Sequence, residues 1–263
     1  MGGTLRRMIV GFVGAGNIAG AIARGWAAAD GGPEKMLFTD SGSGRAATLA
    51  AEVGGEAVDS NQELIQRCDL MLLAMKPKFL EAVAAQTQGA KIVVSLLGAT
   101  PLDRIAEAFP DTIPIRVLPN PAVEVHRGVM CLAAGEEHAE AARTVEALFE
   151  PLGRVVELDD SLMDPATTVM GCAMAFLAVP VEAIAEASAV DGLDGELSLS
   201  LAVDTMAGTA EMLRRHSPAE LRSMVASPGG DTEAGLDELE RKQGAEAFAS
   251  AARASLESSR SRH

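Results

Sequence analysis

The sequence predicts an α/β protein in which a parallel sheet with helices on both faces is followed by an all-α second half. Two observations carry that expectation. Short apolar runs alternate with Ala-rich segments of helical length through the first part of the chain, the pattern of strands joined by crossover helices. After about Asp160 the strand-like runs stop and helical patterns continue to the end. With 263 residues, 48% of them apolar, the chain is long enough for two modest domains with separate cores. The division is expected as residues 1–159 and 160–263.

In chain order, strands are expected at 8–13, 36–39, 69–75, 91–96 and 114–118, with weaker ones near 129–133 and 154–158. Between them, helices are expected at 17–29, 44–53, 78–86 and 101–109. Thr100 before Pro101 is a start signal for the last of these, an N-cap residue followed by proline at the first helical position. In the second half, helices are expected at 164–189, 196–215, 217–226, 228–241 and 245–258. Ser217-Pro218-Ala219-Glu220 reads as a capping box with proline at the first helical position. The stretch 166–189 is apolar nearly all round, with Met170, Cys172, Met174, Phe176, Leu177 and Val181 on different faces. A small domain cannot bury every face of such a helix, so a subunit interface is expected there. Its charge-free part, 166–181, contains Pro180 and is short for a bilayer span, so it reads as a buried helix. Residues 255–263 read as a frayed tail.

Composition excludes several function classes. The net charge is −15, and no basic block is longer than Arg6-Arg7 or Arg214-Arg215. Nucleic acid and anionic membranes need a concentrated positive face and are poor partners. Cys68, Cys131 and Cys172 are odd in number, widely spaced and contain no C-x-x-C pair. That fits buried thiols in a reducing cytoplasm better than a disulfide framework or a zinc site. His126, His138, His216 and His263 have no metal-ligand spacing either, and no metal is expected. At the N-terminus glycines interrupt the apolar run after Arg6-Arg7 almost at once, so it reads as a first strand and not as a signal peptide.

The most specific local motif is Gly14-Ala15-Gly16-Asn17-Ile18-Ala19, between the first strand and first helix. The first glycine permits a tight turn and the second a close approach to a pyrophosphate. Ala19 takes the position where helix packs on strand. The helix then aims free N–H groups and its positive dipole end at the phosphates. In a βαβ unit this is the fingerprint of a Rossmann-type dinucleotide-binding domain. Cofactor choice rests on the end of the second strand. There Asp40 is placed to bind a ribose 2′-hydroxyl, favouring NAD, whereas Ser41, Ser43 and Arg45 are placed to cradle a 2′-phosphate, favouring NADP. Asp40 as a simple loop cap is the third reading, and the residues leave all three open.

A second motif, Ser227-Pro228-Gly229-Gly230-Asp231-Thr232, starts as a helix would and then places two glycines where each costs a helix about 0.5–1 kcal/mol. Close approach of an anion to open N–H groups accounts for them, with Thr232 adding a hydroxyl; an ordinary Pro-Gly turn is the plainer alternative. Absences discriminate too. The chain has no tyrosine, which excludes a short-chain dehydrogenase using Tyr and Lys, and no lysine between Lys91 and Lys242, which removes the helix-borne lysine of β-hydroxyacid dehydrogenases. A reductase without a strong acid–base residue suits a substrate that is already electrophilic, such as a protonated imine.

Over nearly its whole length the sequence resembles the pyrroline-5-carboxylate reductase family. The resemblance rests on Gly11-Phe12-Val13-Gly14-Ala15-Gly16-Asn17-Ile18-Ala19, Ala74-Met75-Lys76-Pro77, Val93-Val94-Ser95 and Arg116-Val117-Leu118-Pro119-Asn120. It continues through His216-Ser217-Pro218-Ala219-Glu220-Leu221-Arg222 and closes with the most specific run, Met224 to Thr232. It implies a Rossmann domain and an all-α dimerisation domain whose interleaved helices share the substrate site in a homodimer or larger homo-oligomer. It implies reduction of the cyclic imine 1-pyrroline-5-carboxylate to proline, in the cytoplasm, with NADPH the usual donor and NAD the alternative. Ser227, Gly229, Gly230 and Thr232 are then expected to hold the pyrroline carboxylate and ring nitrogen. Met75, Lys76, Pro77 and Asn120 are expected at the nicotinamide end. The chain departs from the family at Met170-Gly171-Cys172-Ala173-Met174-Ala175-Phe176, where a Ser/Gly-rich stretch ending in tyrosine is usual. It departs again at Pro121-Ala122-Val123 and at Asp231, where a small neutral residue is usual. Those departures keep two alternatives in view: an imine reductase or dehydrogenase with another substrate, and a dinucleotide-binding paralogue whose pocket has drifted.

Overall fold

The structure is a computed structural model that describes residues 8–190 and 192–261. Arg6-Arg7 and His263 lie outside the described residues. The chain divides into two compact units, which part at Gly171/Cys172.

The first unit is built on an eight-stranded sheet of order β3-β2-β1-β4-β5-β6-β7-β8. Its strands are β1 (Ile9–Val13), β2 (Lys35–Thr39), β3 (Glu56–Ala57), β4 (Leu70–Leu73), β5 (Ile92–Ser95), β6 (Ile113–Pro119), β7 (Gly128–Ala134) and β8 (Gly153–Glu157). The helices between them are α1 (Asn17–Ala28), α2 (Arg45–Val53), α3 (Asn61–Arg67), α4 (Leu80–Gln86), α5 (Leu102–Ala108) and α6 (Ala139–Phe149). The first six strands are parallel, as the alternating pattern requires. β7 departs from the parallel expectation and runs antiparallel to β6. The link between them is the 3₁₀ turn Pro121–Val125 and a few flanking residues, too short for a crossover of about a dozen residues.

The period-two alternation of each strand separates two cores. Val10, Phe12, Phe38, Leu72, Val94 and Val117 face α1, α2 and α6. Val13, Leu37, Met71, Leu73 and Val93 face the side closed by Leu64 of α3, Leu80 of α4 and Ile105 of α5. On the first face Phe12 stacks on Phe38 at 4.9 Å between centroids, and Trp26 lies edge-on to Phe12. The buried Trp26 indole donates to the Leu148 carbonyl at 3.0 Å, which satisfies the polar end of that side chain. Gly11 is the small residue of β1 on the second face. A Cβ there would come within 2.3 Å of Leu64, so α3 packs directly on the strand backbone.

Three elements were not expected. α3 opens with Ser60 accepting from the Glu63 N–H while Glu63 accepts from the Asp59 N–H, a capping signal visible in the sequence. α6 buries Ala142, Val145, Leu148 and Phe149 at helical spacing. β3 has two residues and no pattern to find.

The expected helix at 164–189 is interrupted. α7 (Met163–Thr167) leads into a π turn, Thr168–Cys172, and then α8 (Ala173–Ala189). Met163 and Met170 pack with Leu118, Cys131 and Ala133 under the sheet, which carries the first unit past the expected boundary at 159/160. α8 does not read as the buried helix that was expected. Ala185 is its buried residue, while Leu177, Val179 and Ile184 are all more than half exposed. With the residues before it, the apolar helical segment Asp160–Ala189 is long and apolar enough to cross a membrane by length and composition, a longer stretch than the charge-free 166–181 read as short for a span. Length alone does not decide its environment.

The second unit, Cys172–Glu257, contains α8, α9 (Gly195–Leu213), α10 (Pro218–Val225), α11 (Asp231–Arg241) and most of α12 (Gly244–Arg260). α8 and α9 pair closely, and the buried Ser198 hydroxyl donates to the Ala185 carbonyl at 2.7 Å. α10 opens with the expected capping box, Ser217 and Glu220 exchanging hydrogen bonds. The tail expected to fray from Ser255 is instead helical to Arg260.

Candidate functional site

The carboxyl ends of β1, β2 and β4 open into a cleft of about 610 Å³. Here the strand order reverses, because β2 and β3 lie to one side of β1 and β4 to the other. That is where open α/β sheets bind ligands. The cleft is lined by Gly14, Ala15, Gly16, Asp40, Ser41, Ser43, Arg45, Met75 and Lys76. The sequence motifs at the ends of three separate strands are therefore brought together.

The two fingerprint glycines answer different needs. Gly14 has φ +104°, and a Cβ on it would lie 2.8 Å from the Ala74 carbonyl and the Met75 nitrogen. Its N–H donates to the Thr39 carbonyl, so the turn is locked between two neighbouring strands. Gly16 is the N-cap of α1 with no side-chain cap, and a Cβ there would meet nothing closer than the Ala74 oxygen at 3.9 Å. Nothing in the fold forbids a side chain at Gly16. The uncapped N–H groups at the start of α1 fit a pyrophosphate. Asn17 lines an adjoining hollow of about 390 Å³ with Arg24, Ser43 and Arg45. Ile18 and Ala19 turn inward and pack on the core.

Asp40 sits one residue past β2 with both carboxylate oxygens occupied. Oδ1 accepts from the Gly42 and Ser43 N–H groups at 2.7 and 3.0 Å; Oδ2 accepts from the Ser43 hydroxyl and the Ala46 N–H at 2.9 and 2.8 Å. These bonds, the Ala46 N–H foremost, hold its carboxyl below the usual pKa. Of the three readings left open, loop capping is the one realised in the geometry. Arg45, exposed at the first position of α2, makes no ion pair among the described residues.

Past β4, Met75 and Lys76 reach the cleft, while Pro77 starts a 3₁₀ turn and lines a separate hollow with Lys78, Thr100 and Arg104. Asn120 is 5% exposed. Its Nδ2 donates to the Met170 carbonyl at 2.8 Å and its Oδ1 accepts from the Val129 N–H at 3.1 Å. The side chain expected at the nicotinamide end thus ties the end of β6 to a carbonyl of the π turn. The cleft also contains residues with no motif. Thr39 donates to Asn61 Oδ1 at 2.7 Å, Asn61 donates to Gln86 at 2.9 Å, and Phe79 completes the wall. The capping signal at Ser60–Glu63 fixes the start of α3 and would have located Asn61.

In the second unit, Ser227-Pro228-Gly229-Gly230 closes a turn in which the Gly230 N–H donates to the Ser227 carbonyl at 2.9 Å and Gly229 has φ +73°. Proline second and a positive-φ glycine third are the type II signature. α11 therefore begins at Asp231 with Gly230 as N-cap, not at Pro228 with Ser227 as cap. The turn accounts for Gly229, and the Gly229 N–H donates to Glu233 at 2.6 Å. Ser227, Gly229 and Thr232 are exposed, and Gly230 half-buried.

Residues 160–262 match the family model described as pyrroline-5-carboxylate reductase dimerisation, and residues 9–98 match the model described as NADP oxidoreductase coenzyme F420-dependent. Among curated proteins, a Synechocystis pyrroline-5-carboxylate reductase is 34% identical over 88% of this chain and 90% of its own. Pyrroline-5-carboxylate reductase 3 of Macaca fascicularis is 35% identical over 88% of each. Among solved structures, the Plasmodium falciparum pyrroline carboxylate reductase with NADP bound superposes with TM-score 0.87 at 24% identity, covering 98% of this chain and 99% of its own.

Proposed function

The chain belongs to the pyrroline-5-carboxylate reductase family, and from that premise we propose that it reduces 1-pyrroline-5-carboxylate to proline with NADPH. The observation that carries the proposal is the cleft at the β1–β2–β4 edge, with the uncapped start of α1 and the Ser41–Arg45 loop on its walls. In functional terms residues 1–159 hold the dinucleotide, and residues 160–263 dimerise and supply substrate contacts.

The dinucleotide, when bound, supplies hydride for the imine carbon. The Gly14–Gly16 turn and the start of α1 hold its pyrophosphate, and Asn17 borders them. Ser41 and Arg45 would take the 2′-phosphate, Ser43 joining them only if its hydroxyl leaves Asp40, and Met75 and Lys76 would orient the nicotinamide end. Asn120, through its hold on Met170, positions the chain beyond β6. In the helical domain the hydroxyls of Ser227 and Thr232 and the backbone at Gly229 and Gly230 hold the substrate carboxylate and ring nitrogen, a role that requires Glu233 to release the Gly229 N–H. The substrate nitrogen arrives protonated and keeps its proton, so these residues orient the imine without acting as acid or base.

The test is oxidation of NADPH, and separately of NADH, by purified protein with pyrroline-5-carboxylate. No turnover alongside intact dinucleotide binding would favour another imine substrate. Thr232→Ala is expected to lower kcat/KM by about ten- to a hundredfold through one lost hydrogen bond, with dinucleotide affinity unchanged. Normal turnover in that variant and in Gly230→Val would leave the loop as a turn alone.

The apolar surface of α8 and α9, with Val179, Ile184, Leu201 and Val203 all more than half or nearly half exposed, supports a homodimer or larger homo-oligomer. Contiguous apolar surface of this kind is uncommon on soluble monomers. Sedimentation at micromolar concentration is expected to give at least a dimer, and a stable folded monomer would overturn the assignment. Cytoplasmic residence is supported by three unpaired cysteines, of which Cys68 has its thiol pushed up to about 11 by burial and is chemically quiet.

A further inference from the structure

We infer that Asp40 is a positioning residue that favours the phosphorylated dinucleotide: its carboxylate, accepting from the Gly42, Ser43 and Ala46 N–H groups and the Ser43 hydroxyl, holds the Ser41–Ala46 loop in a conformation that presents Ser41 and Arg45 to a 2′-phosphate. This rests on the reading above that the cleft holds a dinucleotide, and it reverses the ordinary expectation for an acid at this place. An acid past the second strand usually accepts from a ribose 2′-hydroxyl and repels a 2′-phosphate.

Here that role is closed. A carboxylate has about four acceptor positions, and Asp40 commits all of them to its own loop and to the first turn of α2. A 2′-hydroxyl finds no open acceptor on it. The charge is also met locally, by three backbone N–H groups and one hydroxyl, one of those N–H groups in the positive end of α2.

The loop depends on these bonds. Gly42 and Gly44 have φ of +88° and +77°, and nothing lies within 4 Å of where a Cβ on either would stand. Ser41, Gly42, Ser43, Gly44 and Arg45 are all exposed. No packing holds the segment, and two glycines give it many alternatives. Without the Asp40 bonds, binding a 2′-phosphate there would first require ordering the loop. A ligand without that phosphate makes no such demand. Arg45, exposed and without an ion pair among the described residues, is the cation the ordered loop delivers.

The experiment titrates the full-length protein with NADP⁺ and NAD⁺ by calorimetry, comparing wild type, Asp40→Ala and Asp40→Asn. Asp40→Ala is expected to weaken NADP⁺ by about tenfold or more, the scale of losing charge-assisted hydrogen bonds, and NAD⁺ by less than about threefold. Asp40→Asn keeps one acceptor oxygen and is expected to recover part of the loss. The titration of 2′,5′-ADP should follow NADP⁺. A NADP⁺/NAD⁺ preference that rises in Asp40→Ala would show that the charge repels the phosphate, and an unchanged preference would show that the loop orders without it; either overturns the inference. Wild-type protein that binds neither dinucleotide would instead overturn the cofactor reading on which it rests.

Discussion

Asp160→Ala is expected to cost the first unit about 1.5–3 kcal/mol, the scale of losing a charge-assisted hydrogen bond to a buried guanidinium, with Asp164 left as its remaining, longer ion-pair partner. The guanidinium is that of Arg116, which projects from β6 at 1% exposure. Its Nη1 donates to Asp160 Oδ1 at 2.8 Å, and Asp164 lies 3.8 Å from Nη2. Nε and Nη2 are buried without a hydrogen-bond partner among the described residues, so the guanidinium is under-satisfied and leans on one short bond. Asp160 also accepts from the Leu102 N–H at 2.8 Å, so its loss frees the start of α5 as well. Arg116→Met is expected to cost clearly less. It removes the charge together with its two orphan donors, and leaves Asp160 about a quarter exposed to water with its Leu102 bond intact. Denaturant and thermal unfolding of the two variants provide the comparison, with a melting shift of roughly 5 °C for Asp160→Ala. If Arg116→Met proves the more damaging, the pair stabilises the fold outright and the desolvation argument is wrong.

What the sequence revealed and what it withheld divide along a physical line. The β1–α1 turn was legible because its conformation is decided within a few residues, by glycine where φ is positive, whereas for the loop after β2 an acid able to reach its own backbone was one of three open readings. The antiparallel course of β7 does not show in the composition of the strand; it follows from the short connection between the strands expected at 114–118 and 129–133, which leaves no room for a parallel crossover. The two Ser-Pro sequences show the same limit. Ser217-Pro218 starts a helix because Ala219 and Glu220 continue it and close the box. Ser227-Pro228 looks alike for two residues, but Gly229 bends the chain into a turn and the helix waits for Asp231. Phe79 and Gln86 reach the cleft only through the packing of α4 and the turn before it, so no motif announces them, whereas Asn61 follows the Ser60 cap that starts α3. Asn120 shows a different limit. The motif draws attention to it, while its amide is bonded to Val129 and Met170, partners distant enough that only tertiary structure can supply them.

Gly14→Ala is expected to abolish useful dinucleotide binding, raising Kd by about a hundredfold or more, and to destabilise the fold as well; Gly16→Ala is expected to weaken binding while leaving stability unchanged. The two residues sit in the same turn and face the same cleft, but what surrounds them differs. At Gly14 an alanine must hold φ near +104° and place its methyl 2.8 Å from the Ala74 carbonyl and Met75 nitrogen. Backbone strain of that kind costs on the order of 1–3 kcal/mol before any clash. Those atoms are backbone, so relief requires moving the end of β4 away from β1. That movement displaces the phosphate-binding turn and the Met75–Lys76 segment together, so both ends of the dinucleotide lose their site. At Gly16, φ is −82° and the nearest atom to a new methyl is 3.9 Å away. An alanine there stands in open space within the folded protein, and its cost is felt only when a pyrophosphate has to approach the start of α1. A binding loss of about tenfold, near 1.4 kcal/mol, without a change in melting temperature is the expected signature. Thermal unfolding and calorimetric titration with NADP⁺ on both variants separate the cases. Should Gly16→Ala bind as tightly as wild type, the phosphates do not lie at this turn, whatever happens at Gly14.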